Sequence, residues 1–196
     1  MNPWDEWAST FDGARAAVHD LSDWDNETAR HVKLIREHLV DDSEGTLLDV
    51  GCGIGRLSIP LALETQRPVL GFDTSAAMLH HARAQAQLAG KDATGILGFT
   101  DALPFGSEVG GAYSMLVLQH LPDDKARRLL MQVSRVLPAG GPLLVQFAVG
   151  LGRGEFTYER TPNEVTDLVE RCGFAEADRW PDPVIPTWGW WKAYRR

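Results

Sequence analysis

From about residue 46 onward, apolar positions along this chain fall into two alternating rhythms. Short unbroken apolar runs, the mark of strands buried on both faces, alternate with stretches whose apolar residues recur every three or four positions, the mark of helices. Thr46 to Val50, Val69 to Asp73, Gly95 to Phe99, Ala112 to Leu118 and Leu143 to Val149 read as strands, and Trp188 to Tyr194 as a final one. Arg56 to Glu64 reads as the first intervening helix. Ser75 caps a second, which carries Met78, Leu79, Ala82, Ala86 and Ala89 and stops at Gly90. Pro122-Asp123-Asp124 opens a third, with Ala126, Leu129, Leu130, Val133 and Val136 on its apolar face and Pro138 and Gly140-Gly141 at its end. Thr161-Pro162-x-Glu164 opens a fourth with a capping pattern, and Gly173 closes it. Strands separated by helices pair in parallel through right-handed crossovers, so the expected fold is an α/β three-layer sandwich.

Residues 1–45 differ. Trp4, Trp7, Phe11 and Trp24 stand there among many acids, followed by a helix with Val32, Ile35 and Leu39 on one face. No repeat or low-complexity linker divides the chain. One domain over residues 1–196 is expected, with an aromatic, helical N-terminal segment (1–45) and a core from residue 46. Gly150-Leu151-Gly152-Arg153-Gly154 reads as its most flexible interior stretch.

Composition excludes several partners. A chain of 196 residues with 44% hydrophobic and 23% charged residues can bury a full core unaided. Its net charge of -8 leaves no basic face for phosphates, since Arg195-Arg196 is the densest basic feature, so no nucleic-acid partner is expected. No apolar stretch approaches the ~20 residues of a membrane span, and the first residues are too acidic for a secretion signal. Cys52 and Cys172 lack Cys-x-x-Cys spacing, so neither a metal site nor a disulfide framework is expected. The expectation is a cytoplasmic monomer or homodimer.

The chemistry lies where the first strand ends. Leu47 to Gly55 reads Leu-Leu-Asp-Val-Gly-Cys-Gly-Ile-Gly, and a second apolar run ends in Gly71-Phe72-Asp73. A strand, a glycine turn, a helix and a second strand ending in a carboxylate form a nucleotide-binding half-fold. Gly51, Gly53 and Gly55 let backbone approach a ligand closely. The dinucleotide pattern Gly-x-Gly-x-x-Gly would put its third glycine where Arg56 stands. Asp49, a carboxylate on a buried strand, needs a cationic or hydrogen-bonding partner. It would repel a pyrophosphate and attract an ammonium group. A ligand with a positively charged end and a ribose is S-adenosylmethionine, and Asp73 would accept from its ribose hydroxyls.

On these residues the chain resembles the class I S-adenosylmethionine-dependent methyltransferases, of the small ubiquinone-biosynthesis-like type. Further matches are Thr74-Ser75 with Met78-Leu79, Asp101-Ala102-Leu103-Pro104-Phe105, Gln119-His120-Leu121, and Arg135-Val136-Leu137 before Gly140-Gly141. They span roughly residues 46 to 175. The resemblance implies a Rossmann-like, mostly parallel seven-stranded sheet with the last strand antiparallel. It implies that Asp49, Gly51, Cys52, Gly53 and Gly55 cradle the methionine part of the cofactor and Asp73 its ribose. Thr74 and Met78 would flank the adenine, Asp101 and Ala102 its edge, and Leu118 and Gln119 the methionine side. It implies methyl transfer to a small-molecule acceptor, leaving S-adenosylhomocysteine. Two departures are Pro142 after the glycine pair, tolerated where a strand starts, and the missing aspartate near Gly110-Gly111.

No dyad, triad or metal cluster stands out as catalytic machinery. His120, just past the fourth strand, is the one candidate base; its other reading is a ring that holds the loop. His80 and His81, and the Arg127-Arg128 pair, read as solvated helix surface, and nothing singles out His19 or His31. Trp4, Trp7 and Phe11 read as a lid or as edge packing, and with His120, Phe156 and Tyr158 they compose the expected acceptor pocket. Two other classes stay open. A nicotinamide-dependent oxidoreductase is opposed by Arg56 and by Tyr113, which has Val117 four positions on instead of a lysine. A non-catalytic binding or partner subunit is opposed by the intact Asp49, Gly51, Gly53, Gly55 and Asp73 set.

Overall fold

The computed structural model describes residues 3–16, 24–104, 109–149 and 157–196. Its strands are β1 (Thr46–Val50), β2 (Val69–Phe72), β3 (Leu97–Thr100), β4 (Val109–Met115), β5 (Pro142–Ala148), β6 (Phe174–Pro181) and β7 (Trp188–Arg195). They form one seven-stranded sheet in the order β3-β2-β1-β4-β5-β7-β6. Every neighbouring pair from β3 to β5 is parallel, while β7 runs antiparallel to both β5 and β6. The order reverses beside β1, and the crevice beyond the carboxyl ends of β1 and β4 is where such sheets take ligands.

Consecutive strand residues are buried on opposite faces, which explains the unbroken apolar runs. Leu48, Ala112, Leu143, Val145 and Trp191 pack under α7 (Asp123–Val136) and α8 (Pro162–Arg171). Leu47, Tyr113, Leu144 and Trp190 pack under α3 (Trp24–Ile35) and α4 (Ser58–Thr65). The layers on either side make the predicted three-layer sandwich. Helix α5 (Ala76–Leu88) is capped by Ser75 as read from sequence, with the Met78 amide donating to Ser75 Oγ at 3.2 Å. Both halves of the Thr161–Glu164 capping box form at α8.

Four boundaries differ from the sequence reading. The fourth strand lies three residues earlier than expected, because Leu116 turns into the left-handed region (φ 57°) and ends it, and Leu118–His120 forms a 3-10 turn. Its true start was hidden by Gly110 and Gly111. Both are needed because a Cβ on Gly110 would overlap the Glu44 carbonyl, and one on Gly111 would press on Ser43 and Leu39. A short helix, α6 (Lys91–Ile96), precedes β3 and delays it to Leu97. The first core helix starts at Ser58, since Arg56 still belongs to the loop. The edge strand β6 carries alternating acids and gave no apolar run.

Residues before β1 fold into α1 (Pro3–Trp7), α2 (Phe11–Ala16), α3 and a π-helical turn at Arg36–Val40. Ala8, Ala14, Ile54 and Met78 form a separate apolar cluster with Trp4, Phe11 and Trp24 packed against it. This cluster sets α1 and α2 across the glycine loop and the start of α5.

Candidate active site

The loop after β1 is shaped by its glycines. Gly51, Gly53 and Gly55 all take positive φ, at 81°, 52° and 80°. The Gly51 and Cys52 amides both donate to the Phe72 carbonyl, at 2.7 and 3.0 Å, which ties the loop to the end of β2. Asp73 stands at that end. Its carboxylate accepts from the Gly53 amide and the Ser75 amide, each at 2.9 Å. Burial raises the Asp73 carboxyl above its ordinary value, opposed by these amide donors. Asp49 is buried at the end of β1 and accepts from Ser58 Oγ at 2.5 Å, with Tyr113 beside it. Burial pushes its carboxyl up to about 6, against the hydrogen bond from Ser58 and the attraction of Arg56.

These residues open onto a cavity of about 530 Å³, a size typical of small-molecule sites. Asp49, Gly51, Cys52, Gly53, Asp73, Thr74 and Met78 form one end of its wall. Met115, Leu121, Ala148 and Trp188, at and beyond the ends of β4, β5 and β7, form a second, apolar part with Leu129 of α7, and Trp4 and Trp7 join from α1. Gln119 and His120 sit in the wall as well. Gln119 is buried, and its Oε1 has no hydrogen-bond partner among the described residues. His120 meets Trp4 edge to face, with ring centroids 5.1 Å apart.

Other predicted site residues lie outside this wall. Leu118 turns into the core beneath α7, and Gly55 is packed against Ile59 and Phe99 by its own geometry. Asp101 and Ala102 are exposed beyond the end of β3. Phe11 packs on His81 at 5.7 Å, and Tyr158 is exposed beside the cavity-lining Thr157. Phe156, Phe105, His19 and the Gly150–Gly154 stretch fall outside the described residues. His81 is not simple solvated surface, because its Nε2 donates to the Ala8 carbonyl at 2.9 Å. With Ser75 Oγ donating to Asp5 Oδ1 at 2.6 Å, it fastens the N-terminal segment to α5.

Three arginines escaped the sequence reading. Arg160 is buried and donates to the Leu118 carbonyl at 2.9 Å, the Leu121 carbonyl at 2.7 Å and Asp123 at 2.7 Å. With the Tyr158 amide donating to the Gln119 carbonyl at 2.7 Å, it fixes the loop that presents Gln119 and His120. Arg56 lines the cavity, and the sequence treated it only as the residue that spoils a dinucleotide pattern. Its place directly after the loop, within reach of Asp49, was the available signal. Arg30 belongs to a buried cluster behind the cavity, and nothing local in the sequence announced it. It donates to Asp182 at 2.9 Å and to His31 Nε2 at 2.7 Å. Trp190 Nε1 also donates to Asp182, at 2.8 Å. His31 is fully buried, and burial together with Arg56 and Arg30 holds its ring neutral, down to about 2.

Among the described residues no group of three or more His, Cys, Asp or Glu side chains is arranged to hold a metal ion. No helix among them is long and apolar enough to cross a membrane.

Residues 47–141 match the family described as methyltransferase domain. A curated relative, 24-methylenesterol C-methyltransferase 2 of Oryza sativa subsp. japonica, is 28% identical over 166 residues, covering 72% of this chain and 45% of that protein. The chain thus spans less than half the length of this relative. Magnesium protoporphyrin IX methyltransferase ChlM from Synechocystis PCC 6803, solved with bound S-adenosylmethionine, superposes with a TM-score of 0.71 at 21% identity, covering 98% of this chain and 94% of the other. The cyclase SpnF superposes with a TM-score of 0.73 at 18% identity, covering 85% and 80%. Residues 47–141 are thus similar to a methyltransferase domain, and the chain shares the fold of these solved structures.

Proposed function

We propose that the chain transfers the methyl group of S-adenosylmethionine to a small, largely apolar acceptor held in the same cavity. The observation that carries this reading is one continuous cavity whose wall is polar and glycine-lined at Asp49, Gly51, Gly53 and Asp73, and aromatic and aliphatic at Trp4, Trp7, Leu121, Leu129 and Trp188. A charged, ribose-bearing cofactor fits the first part and an apolar acceptor the second. The residues present fit the cofactor in further ways. A Cβ on Gly53 would meet nothing within 4 Å, so the backbone borders open space there. The unpartnered Gln119 Oε1 awaits a donor, and a buried acceptor left without one is costly. The relatives named for a sterol and a porphyrin substrate support an apolar acceptor.

In this reading Asp73, with its carboxylate fixed by the Gly53 and Ser75 amides, accepts from the two ribose hydroxyls. Thr74 and Met78 flank the adenine, and Asp101 and Ala102 border its outer edge. The glycine loop with Cys52 encloses the methionine part, and Gln119 closes that side. When bound, the cofactor supplies a methyl group already activated on a sulfonium. The chain's task is then mainly alignment, which is worth about 7–11 kcal/mol of barrier where the geometry is right. Trp4, Trp7 and Trp188 exclude water around the acceptor. His120 stands where it can take the acceptor's proton, a contribution of about 10²- to 10⁴-fold when the acceptor is a hydroxyl or amine.

The test is transfer of label from methyl-labelled S-adenosylmethionine to a panel of apolar phenols, amines, carboxylic acids and isoprenoids. Label moving into an organic-extractable product is the expected result. A protein that binds S-adenosylhomocysteine yet labels nothing in the panel contradicts the transferase reading and favours a binding subunit.

A further inference from the structure

One charged cavity residue has no part in the site as described so far, and its bonding is incomplete. A guanidinium offers five N–H donors in a rigid fork. Arg56 donates at 3.2 Å to Thr28 Oγ1 and at 3.5 Å to the Met115 sulfur, and its charge stands 5.5 Å from the Trp24 ring. Its approach to His31 Nδ1, at 3.5 Å, meets a ring whose other nitrogen already accepts from Arg30. No carboxylate of the described residues comes within the ~4 Å of an ion pair. A largely desolvated cation with this little compensation is expensive.

The same wall holds an opposite charge. Asp49 attracts Arg56 without closing on it, and its hydrogen bond comes from Ser58 instead. A buried anion and a half-buried cation facing one cavity, outside ion-pair distance of each other, are complementary to a ligand that carries both signs on neighbouring atoms. An α-amino acid head is such a ligand: its ammonium suits the acid, and its carboxylate suits the guanidinium fork, the pairing in which arginine is strongest.

We infer that Arg56 receives the α-carboxylate at the amino-acid end of the cofactor, so that Asp49 and Arg56 together read a zwitterion. The inference rests on the S-adenosylmethionine reading of the cavity. Its competitor is purely structural: through Thr28 and Trp24, Arg56 would merely clamp α3 to the sheet.

Titration calorimetry with two ligands separates these. S-adenosylhomocysteine carries the amino-acid head, whereas 5′-methylthioadenosine keeps the adenosine and the sulfur and lacks the head. Arg56→Met is expected to weaken S-adenosylhomocysteine by about 10- to 100-fold, the range for a lost hydrogen bond to a charged group. Its affinity for 5′-methylthioadenosine stays at the wild-type value, which also reports an intact fold. Arg56→Lys restores part of the lost affinity. Should Arg56→Met fail to fold, Arg56→Lys is read alone, and selective weakening of S-adenosylhomocysteine is still required. Equal weakening of both ligands makes Arg56 a clamp and overturns the inference, as does unchanged S-adenosylhomocysteine affinity. A wild-type protein that binds neither ligand removes the cofactor reading itself, and the inference with it.

Discussion

Gly51 and Gly53 sit two residues apart in the same loop, and replacing each with alanine separates fold from binding. Both have positive φ, so either alanine bears a left-handed cost of about 1–2 kcal/mol. Alanine also loses less chain entropy on folding than glycine, which returns about 0.4–1 kcal/mol. For Gly53→Ala nothing more is added, because the new methyl meets no atom within 4 Å. The net loss is about 1 kcal/mol. For Gly51→Ala the methyl would lie 2.3 Å from a Val117 methyl, so Val117 must move. Overpacking of this kind adds about 1–3 kcal/mol, for a total near 2–4 kcal/mol. Urea unfolding measures both, and calorimetry with S-adenosylhomocysteine measures binding. Gly53→Ala should fold nearly as well as wild type and lose cofactor affinity, because its methyl occupies space the ligand needs. Gly51→Ala should lose chiefly stability. Equal stability losses, or a Gly53→Ala variant with undiminished affinity, would refute the reasoning.

Three further outcomes follow from the charges and the loop. The His31 ring is held below its ordinary value in the folded state, so the stability it contributes is present above about pH 6.5 and is lost as pH falls toward about 2. Asp49 is raised to about 6, so its contribution is present below about pH 3.8 and is lost as pH rises through about 6. Between about pH 4 and 6 the two slopes oppose each other at up to ~1.4 kcal/mol per pH unit each. Urea unfolding across that range should show Asp49→Asn losing stability toward acid relative to wild type, and His31→Gln losing it toward neutral pH. Asp182→Ala leaves Arg30 paired with Glu27 alone and strands the buried Trp190 indole N–H, and is expected to cost about 1–3 kcal/mol in the same assay. His120→Gln is expected to leave S-adenosylhomocysteine affinity near wild type while lowering the rate of transfer to a hydroxyl or amine acceptor by at least about 10²-fold. A rate unchanged by that substitution would return His120 to the role of a loop-holding ring.

Legibility followed the range of the forces involved. Strands β1, β2, β5 and β7 are buried on both faces, so their apolar runs mark them almost to the residue. The run Met115 to Leu118 is equally apolar for a different reason, since Met115, Leu116 and Val117 line a cavity, and pattern alone cannot distinguish that from a strand. Glycine's absent side chain concealed the start of β4, and the acids of an edge strand concealed β6. In the site, the residues joined by a short loop were readable: Asp49, Gly51, Cys52, Gly53, Asp73, Thr74 and Met78 do meet at one end of a cavity, and Trp4, Trp7, Gln119 and His120 reach it too. The contributions of Leu129, Thr157 and Trp188 come from elements distant in sequence and depend on how the helices and sheet end pack. Arg56 was visible and was weighed only against a pattern it did not fit.

Sharing a fold with both a methyltransferase and a cyclase, the chain owes its chemistry to the cavity rather than to the sheet. The most direct measurement is calorimetric titration of the wild-type protein and of Asp73→Asn with S-adenosylhomocysteine and with NAD. Saturable binding of S-adenosylhomocysteine, weakened by at least about tenfold in Asp73→Asn, with no heat from NAD, is the result this account predicts. Binding of NAD alone, or S-adenosylhomocysteine affinity indifferent to Asp73, would contradict it.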